Sequence, residues 1–187
     1  MNFIDAISAW DGVALEKIQD IFVTDSITPI MRAITSLGDH GLFWILVGVC
    51  LFLFRKTRPT GKVVLFSMLI AFIVCNLLLK KIIDRPRPWE VYDTIMRLAP
   101  DPGDASFPSG HATNAMAASF AILLKGDKKW LGVCAVILAL LICFSRLYLG
   151  MHFPTDVICG MLIGMASATI CWLVDRSIED SKTIRKH

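Results

Sequence analysis

The sequence predicts an all-α fold: an integral membrane helical bundle of about five spanning helices, preceded by an N-terminal amphipathic helical arm. Three observations predict it. The 187 residues are 55% hydrophobic and only 19% charged, with a mean hydropathy of +0.62, which is too apolar for an ordinary water-soluble domain of this length. The apolar residues fall in long runs rather than alternating, and Lys and Arg collect at the ends of those runs, as they do around membrane helices. The formal net charge of +3 is small and gathers on no single face, so nucleic acid is not an expected partner.

The chain reads as one domain of 1–187, with an arm over 1–38, a bundle over 39–175 and a cytoplasmic tail over 176–187. In the arm, Ile7, Trp10, Ala14, Ile18 and Ile21 recur at helical spacing, while Asp11, Glu16, Lys17 and Asp20 interrupt any spanning pattern. That pattern suits an amphipathic helix at the interface or against the bundle. A second short helix is expected from Pro29, with Ser26 and Thr28 as caps, Ile30, Ile34 and Leu37 on one side and Gly38 at its end. Both helices are read as packing elements without chemistry. The opening Met-Asn-Phe-Ile-Asp lacks the basic patch and apolar run of a cleavable signal peptide, so insertion is expected to rest on the later helices.

The expected spans are Gly41 to Phe54, Val63 to Leu79, Ala112 to Leu124, Trp130 to Leu149 and Val157 to Val174, given that ~20 mostly apolar residues cross a bilayer core. The first and third are short. The basic turns 55–62 and 125–129, together with Arg176, Lys182, Arg185 and Lys186, fall at one end of such a bundle. By the positive-inside rule that end is cytoplasmic, which predicts a multi-pass protein of the cell membrane with the N-terminal arm, the segment from Lys80 to His111 and the short connection around His152 on the outer side. The six cysteines lie in apolar stretches with neither C-x-x-C pairs nor zinc-finger spacing, and read as small packing residues.

Three segments carry chemistry. The first, Lys80-Lys81-Ile82-Ile83-Asp84-Arg85-Pro86-Arg87-Pro88, is a cationic cluster where an apolar helix ends. Its Arg-Pro steps stop the helix and stiffen the chain, and Arg suits bidentate binding of phosphate oxygens. An ordinary basic anchor is the plainer reading, but the basic turns already mark the opposite side. The second, Pro108-Ser109-Gly110-His111, opens a helix whose N-terminal amides and dipole favour an anion. Alone, His111 reads equally as a cap or a solvated side chain. The third runs from Ser145-Arg146 through Gly150 and His152 to Asp156. Arg146 near the end of an apolar helix is costly unless it faces a polar site or snorkels, and Asp156, read as the cap of the last helix, can reach an imidazole nitrogen of His152. A carboxylate there fixes the tautomer and leaves the other nitrogen as a lone pair.

Together these segments resemble the type-2 phosphatidic acid phosphatase and vanadium haloperoxidase superfamily. That pattern is a Lys separated by six residues from an Arg-Pro, then Pro-Ser-Gly-His, then Ser-Arg followed by Gly-x-His and an Asp four residues on. No motif position departs from it, and it covers roughly Leu79 to Asp156. The resemblance implies that His152 attacks phosphorus, that His111 protonates the leaving oxygen and then activates water, and that Asp156 orients His152. It also implies that Lys80, Arg87, Ser109, the backbone of Gly110 and Arg146 bind the phosphoryl oxygens, with no metal or other cofactor. Arg85 matches no motif position and is read as a further phosphate ligand or a headgroup contact. The implied reaction is hydrolysis of a lipid phosphate or diphosphate in the bilayer, with undecaprenyl diphosphate first and phosphatidic acid, phosphatidylglycerol phosphate and lipid A phosphate as rivals. Two other readings use the same residues: a transporter or anion-binding scaffold, and a metal site built from His111, His152 and Asp156.

Overall fold

A computed structural model describes residues 3–184, with the backbone alone for 3–9 and 183–184. Helix α1 (Phe3–Phe22) is followed by α2 (Thr28–Ser36), a 3-10 turn (Asp39–Gly41), α3 (Leu42–Leu53) and α4 (Arg58–Phe72). A π-helical segment (Ile73–Leu79) joins α4 to α5 (Lys80–Ile83), and α6 (Pro88–Val91), α7 (Gly110–Lys125), α8 (Lys129–Tyr148) and α9 (Pro154–Ile184) complete the chain. The fold is all-helical among the described residues.

Four helical stretches among them are long and apolar enough to cross a membrane: 28–53, 58–91, 129–148 and 154–182. The expected third span is different. At 16 residues, α7 is only about 24 Å long at 1.5 Å per residue, and it sits inside the protein, packed by α4, α8 and α9. Its small side chains make this position possible, since Ala112, Ala115, Ala117, Ala118 and Ala121 are all fully buried. Trp44, Val64, Met68, Ile142 and Ala168 from the surrounding helices pack into one core with Met116, Ala115, Ala117, Ala118 and Ala121 of α7, while Phe66, Leu69, Leu140, Leu162 and Leu173 face outward, as lipid-facing positions do.

The first span also differs from its expected limits. Apolar α2 and α3 are in line within 28–53, interrupted by the 3-10 turn where His40 (φ 51°) and Gly41 (φ 67°) are left-handed. Neither Ser26 nor Thr28 caps α2. Its N-cap is Ile27, and the Thr28 hydroxyl instead donates to the Thr24 carbonyl at 2.8 Å. At the other end, the expected tail after 175 continues α9 to Ile184, where Lys125 pairs with Asp175 and Glu179 at 2.7 Å each. Arg185 and Lys186 lie outside the described residues.

The arm packs through a face turned about 100° from the apolar stripe. Asp11, Leu15 and Gln19, four residues apart, are buried, Ala14 and Ile18 are half-buried, and Trp10 and Ile21 are 55% and 71% exposed; the side chain of Ile7 lies outside the described residues. Polar partners explain the rotation. Gln19 Nε2 donates to the carbonyls of Met96 (2.9 Å) and Tyr148 (3.2 Å), and its Oε1 accepts from the Met96 amide, so its burial leaves nothing unsatisfied. Leu15 packs with Ile95 and Phe153. The apolar residues turned outward suit a lipid interface.

Candidate active site

The three motif segments meet in one cavity of about 510 Å³, lined by Lys80, Arg87, Gly110, His111, Arg146 and His152. Local structure accounts for each. The π segment carries Asn76 to the cavity wall and ends at Lys80; such widened turns recur at functional sites. The helix stops at Asp84, which is left-handed (φ 42°), and Arg87 is extended (ψ 159°) before Pro88 opens α6. Lys80 and Arg87 both pair with Asp104, and Arg87 also donates from Nη1 to the Met151 carbonyl at 2.7 Å and from Nε to the Asp104 carbonyl at 2.9 Å. Burial pushes the Asp104 carboxyl up, but the two cations outweigh it and hold it below the usual carboxylate range. Asp104 thus pairs with two of the cations that line the cavity.

Ser109 is the N-cap of α7, so the amides that follow have no intrahelical acceptor and face an anion favourably. The Ser109 hydroxyl is fully buried and, like Arg146 Nε and Asn76 Oδ1, has no hydrogen-bond partner among the described residues. Buried polar atoms left this way are costly; the Ser109 hydroxyl and Arg146 Nε–H are donors free for an oxygen ligand, whereas Asn76 Oδ1 can only accept. Arg146, 4% exposed, is held by donation from Nη1 to Thr35 Oγ1 at 2.8 Å. His111 Nε2 lies 2.9 Å from Asp39 Oδ1.

His152 follows a turn that only glycine suits: Gly150 is left-handed (φ 69°), and a Cβ there would lie 2.3 Å from the Met96 carbonyl oxygen. The imidazole is 2% exposed. Its Nδ1 lies 2.8 Å from the Ser106 carbonyl oxygen, which only accepts, so Nδ1 carries the proton and Nε2 holds the lone pair. Asp156 was expected to be that partner, yet its Oδ2 is 3.8 Å from Nδ1, beyond hydrogen-bond range. Nor is Asp156 the helix cap. It stands in the first turn of α9, where Oδ2 accepts from the Phe153 amide (2.9 Å) and the Ser106 hydroxyl (2.5 Å). Ser106 therefore links the two, presenting its carbonyl to the ring and its hydroxyl to the carboxylate. Arg85 does not line the cavity; it lies behind Asp156, donating to Oδ1 at 2.6 Å.

Burial, then the Arg146 and Arg87 charges, push the His152 imidazole from its ordinary 6.5 down to about 3, so the ring is neutral at physiological pH. The sign for stability follows. Below about pH 6.5 the unfolded chain binds a proton that the native ring refuses, so this group lowers stability as pH falls from there toward 3. In detergent, melting temperatures recorded from pH 7 to pH 4 are expected to fall less steeply in His152→Gln than in the unsubstituted protein; equal slopes would remove the assignment.

Thr35, Asp39, Asn76, Asp104 and Ser106 were assigned no role from the sequence. Ser106 and Asp104 flank a recognised motif, but Thr35 and Asp39 act across separations of 111 and 72 residues, which no local period reports. The proposed metal ligands do not converge: His152 Nδ1 and His111 Nε2 face different partners, and among the described residues no group of three or more His, Cys, Asp and Glu is placed to hold a metal ion.

The sequence pattern of the PAP2 superfamily matches residues 60–178. The chain belongs to the PAP2 superfamily. Among its PAP2 relatives, the undecaprenyl-diphosphatase of Sulfolobus acidocaldarius is 37% identical over 121 residues, covering 65% of this chain and 58% of that protein. The undecaprenyl-diphosphatase BcrC of Bacillus subtilis is 37% identical over 124 residues, covering 65% and 62%. The chain therefore matches less than two thirds of either relative's length. The crystal structure of the transmembrane PAP2 type phosphatidylglycerolphosphate phosphatase from Bacillus subtilis superposes with a TM-score of 0.71 at 28% identity, covering 94% of this chain and 87% of that one.

Proposed function

We propose that this PAP2 chain is a membrane phosphatase that hydrolyses a lipid phosphate or diphosphate through a phosphohistidine on His152, with undecaprenyl diphosphate as the leading substrate. The observation that carries the reading is the His152 tautomer. Nδ1 is committed to the Ser106 carbonyl, which leaves Nε2 as an uncharged nucleophile at a wall of cations and helix amides. Lys80, Arg87, Ser109, the Gly110 backbone and Arg146 bind the three equatorial oxygens, where charge accumulates in the transition state. His111 protonates the departing oxygen and then takes the proton from the attacking water. Asp156 acts on His152 through Ser106 and through its charge.

The names of the two undecaprenyl-diphosphatase relatives support the substrate choice. The crystal structure at TM-score 0.71 favours a phosphatidylglycerol phosphate as the alternative. A transporter fits less well, because the ionisable residues gather at one end of the helices and not at mid-span. Phosphate release by purified protein from a panel of lipid phosphates and diphosphates tests the reading. Release from undecaprenyl diphosphate that survives exhaustive chelation and is blocked by vanadate is expected; no release from any member refutes it.

The site faces the extracytoplasmic side and the C-terminus the cytoplasm, because the basic turns 55–62 and 125–129 lie at the opposite end of the spans. A phosphatase reporter fused after His187 is expected to be silent and a fluorescent one bright; the reverse pattern inverts this orientation.

A further inference from the structure

Behind His152, a row of charges lies away from the cavity, and of its three members only Asp156 holds a motif position. Arg85 Nη1 donates to Asp156 Oδ1 at 2.6 Å and Nη2 donates to Asp11 Oδ2 at 2.7 Å. Asp11 comes from α1, outside the matched residues 60–178. Its Oδ1 accepts from the Thr155 amide at 3.0 Å, and its Oδ2 also accepts from the Thr155 hydroxyl. The Arg85 guanidinium lies 4.0 Å over the Phe153 ring, between the two carboxylates. Both carboxylates are fully buried and Arg85 is 17% exposed, so solvent screens this row weakly.

The signs matter. Asp156 and Arg85 alone would form a neutral pair, with little field at the imidazole beside it. Asp11 on the far side of the guanidinium leaves the trio with one net negative charge. We propose that Asp11 is a positioning residue for phosphoryl transfer: it holds Arg85 against Asp156 and returns the net negative charge that favours a cationic His152 ring.

The proposal rests on His152 being the nucleophile. In the first step the Nε2–P bond forms while the bond from phosphorus to the leaving oxygen breaks. That oxygen keeps the electron pair and takes a proton from His111. Nδ1 keeps its proton throughout, so the phosphorylated ring carries one positive charge. In the second step water attacks phosphorus, its proton goes to His111, and the Nε2–P pair returns to the ring, which becomes neutral. A negative charge behind the ring therefore speeds the first step and slows the second. A residue that only packs would not divide the two steps in this way.

The test measures phosphorylation in single turnover and phosphoenzyme at steady state, with farnesyl diphosphate radiolabelled in its terminal phosphate and the full chain in detergent. For Asp11→Asn, phosphorylation is expected to slow roughly tenfold and the steady-state phosphoenzyme to fall, with KM little changed. Arg85→Gln makes the trio more negative, so its phosphoenzyme is expected to persist longer than in the unsubstituted protein. The double variant Asp11→Asn/Arg85→Gln restores one net negative charge and is expected to phosphorylate faster than Asp11→Asn alone. Unchanged phosphorylation in folded Asp11→Asn, or a double variant that phosphorylates no faster than Asp11→Asn alone, overturns the proposal. If Asp11→Asn does not fold, the double variant decides alone: phosphorylation within about threefold of the unsubstituted rate supports the proposal, and a roughly tenfold loss overturns it. A phosphoenzyme absent from the unsubstituted protein, or persisting in His152→Ala, refutes the nucleophile assignment itself and this inference with it.

Discussion

His152→Ala is expected to lower phosphate release at least roughly a thousandfold while leaving the protein folded. The size follows from its role. Removing the imidazole removes the atom that forms the covalent intermediate, and the remaining cations can bind substrate but cannot replace that bond. The fold is expected to survive because the ring contributes one hydrogen bond, to the Ser106 carbonyl. Asp156 remains anchored by Arg85, Ser106 and the Phe153 amide. Substrate binding, read as the affinity for inorganic phosphate, should change far less than turnover. Release within tenfold of the unsubstituted protein would remove His152 as nucleophile and with it the proposed intermediate.

Gly164→Val is expected to have the opposite signature, losing fold and activity together. A Cβ at Gly164 would lie 2.4 Å from the Thr113 carbonyl oxygen and 2.7 Å from the Ala117 amide nitrogen; at Gly160, one turn earlier, it would lie 2.7 Å from the Ser109 carbonyl oxygen. Both glycines let α9 touch the backbone of α7, the close approach that small residues four apart permit between membrane helices. The obstructing atoms are backbone and cannot rotate away. Overpacking of this kind costs typically about 1–3 kcal/mol, and the contact with main chain puts this site at or above the upper figure. Because Ser109, Gly110 and His111 start the same helix, any separation of α9 from α7 also moves the anion-binding turn away from His152 and Asp156. A melting temperature unchanged in detergent would show that α7 and α9 can part without loss, and would undo this account of the site's assembly.

How far the site could be read in advance differs by residue. Lys80, Arg87, Ser109, Gly110, His111, Arg146, His152 and Asp156 are legible because three short segments together match one family pattern, whereas each segment alone also reads as a basic anchor, a cap or an interfacial side chain. Six of them line one cavity, and Ser109 and Asp156 do not line it. Thr35, by contrast, sits in what reads as a plain packing arm, and Asp39 at the very start of the bundle, outside every motif. Their importance comes from contacts to His111 and Arg146. Asp11 interrupted an otherwise apolar helix and was read as keeping α1 out of the membrane. A buried register was already present in Asp11, Leu15 and Gln19, but choosing it over the apolar stripe requires knowing that Arg85 and the Met96 backbone wait on the other side.

The sequence by itself determined the all-helical membrane character, the places where the helices break and the residue types of the anion site. All of these depend on composition and on neighbours a few positions apart. Tertiary structure alone decided that α7 is the enclosed centre of the bundle, not one more lipid-facing span. It also decided that the Ser106 carbonyl holds the His152 ring and that Asp11 pairs with Arg85 behind it. Those outcomes depend on which backbones approach closely enough for hydrogen bonds and on how far buried charges stand apart, and such distances are set only when distant segments pack.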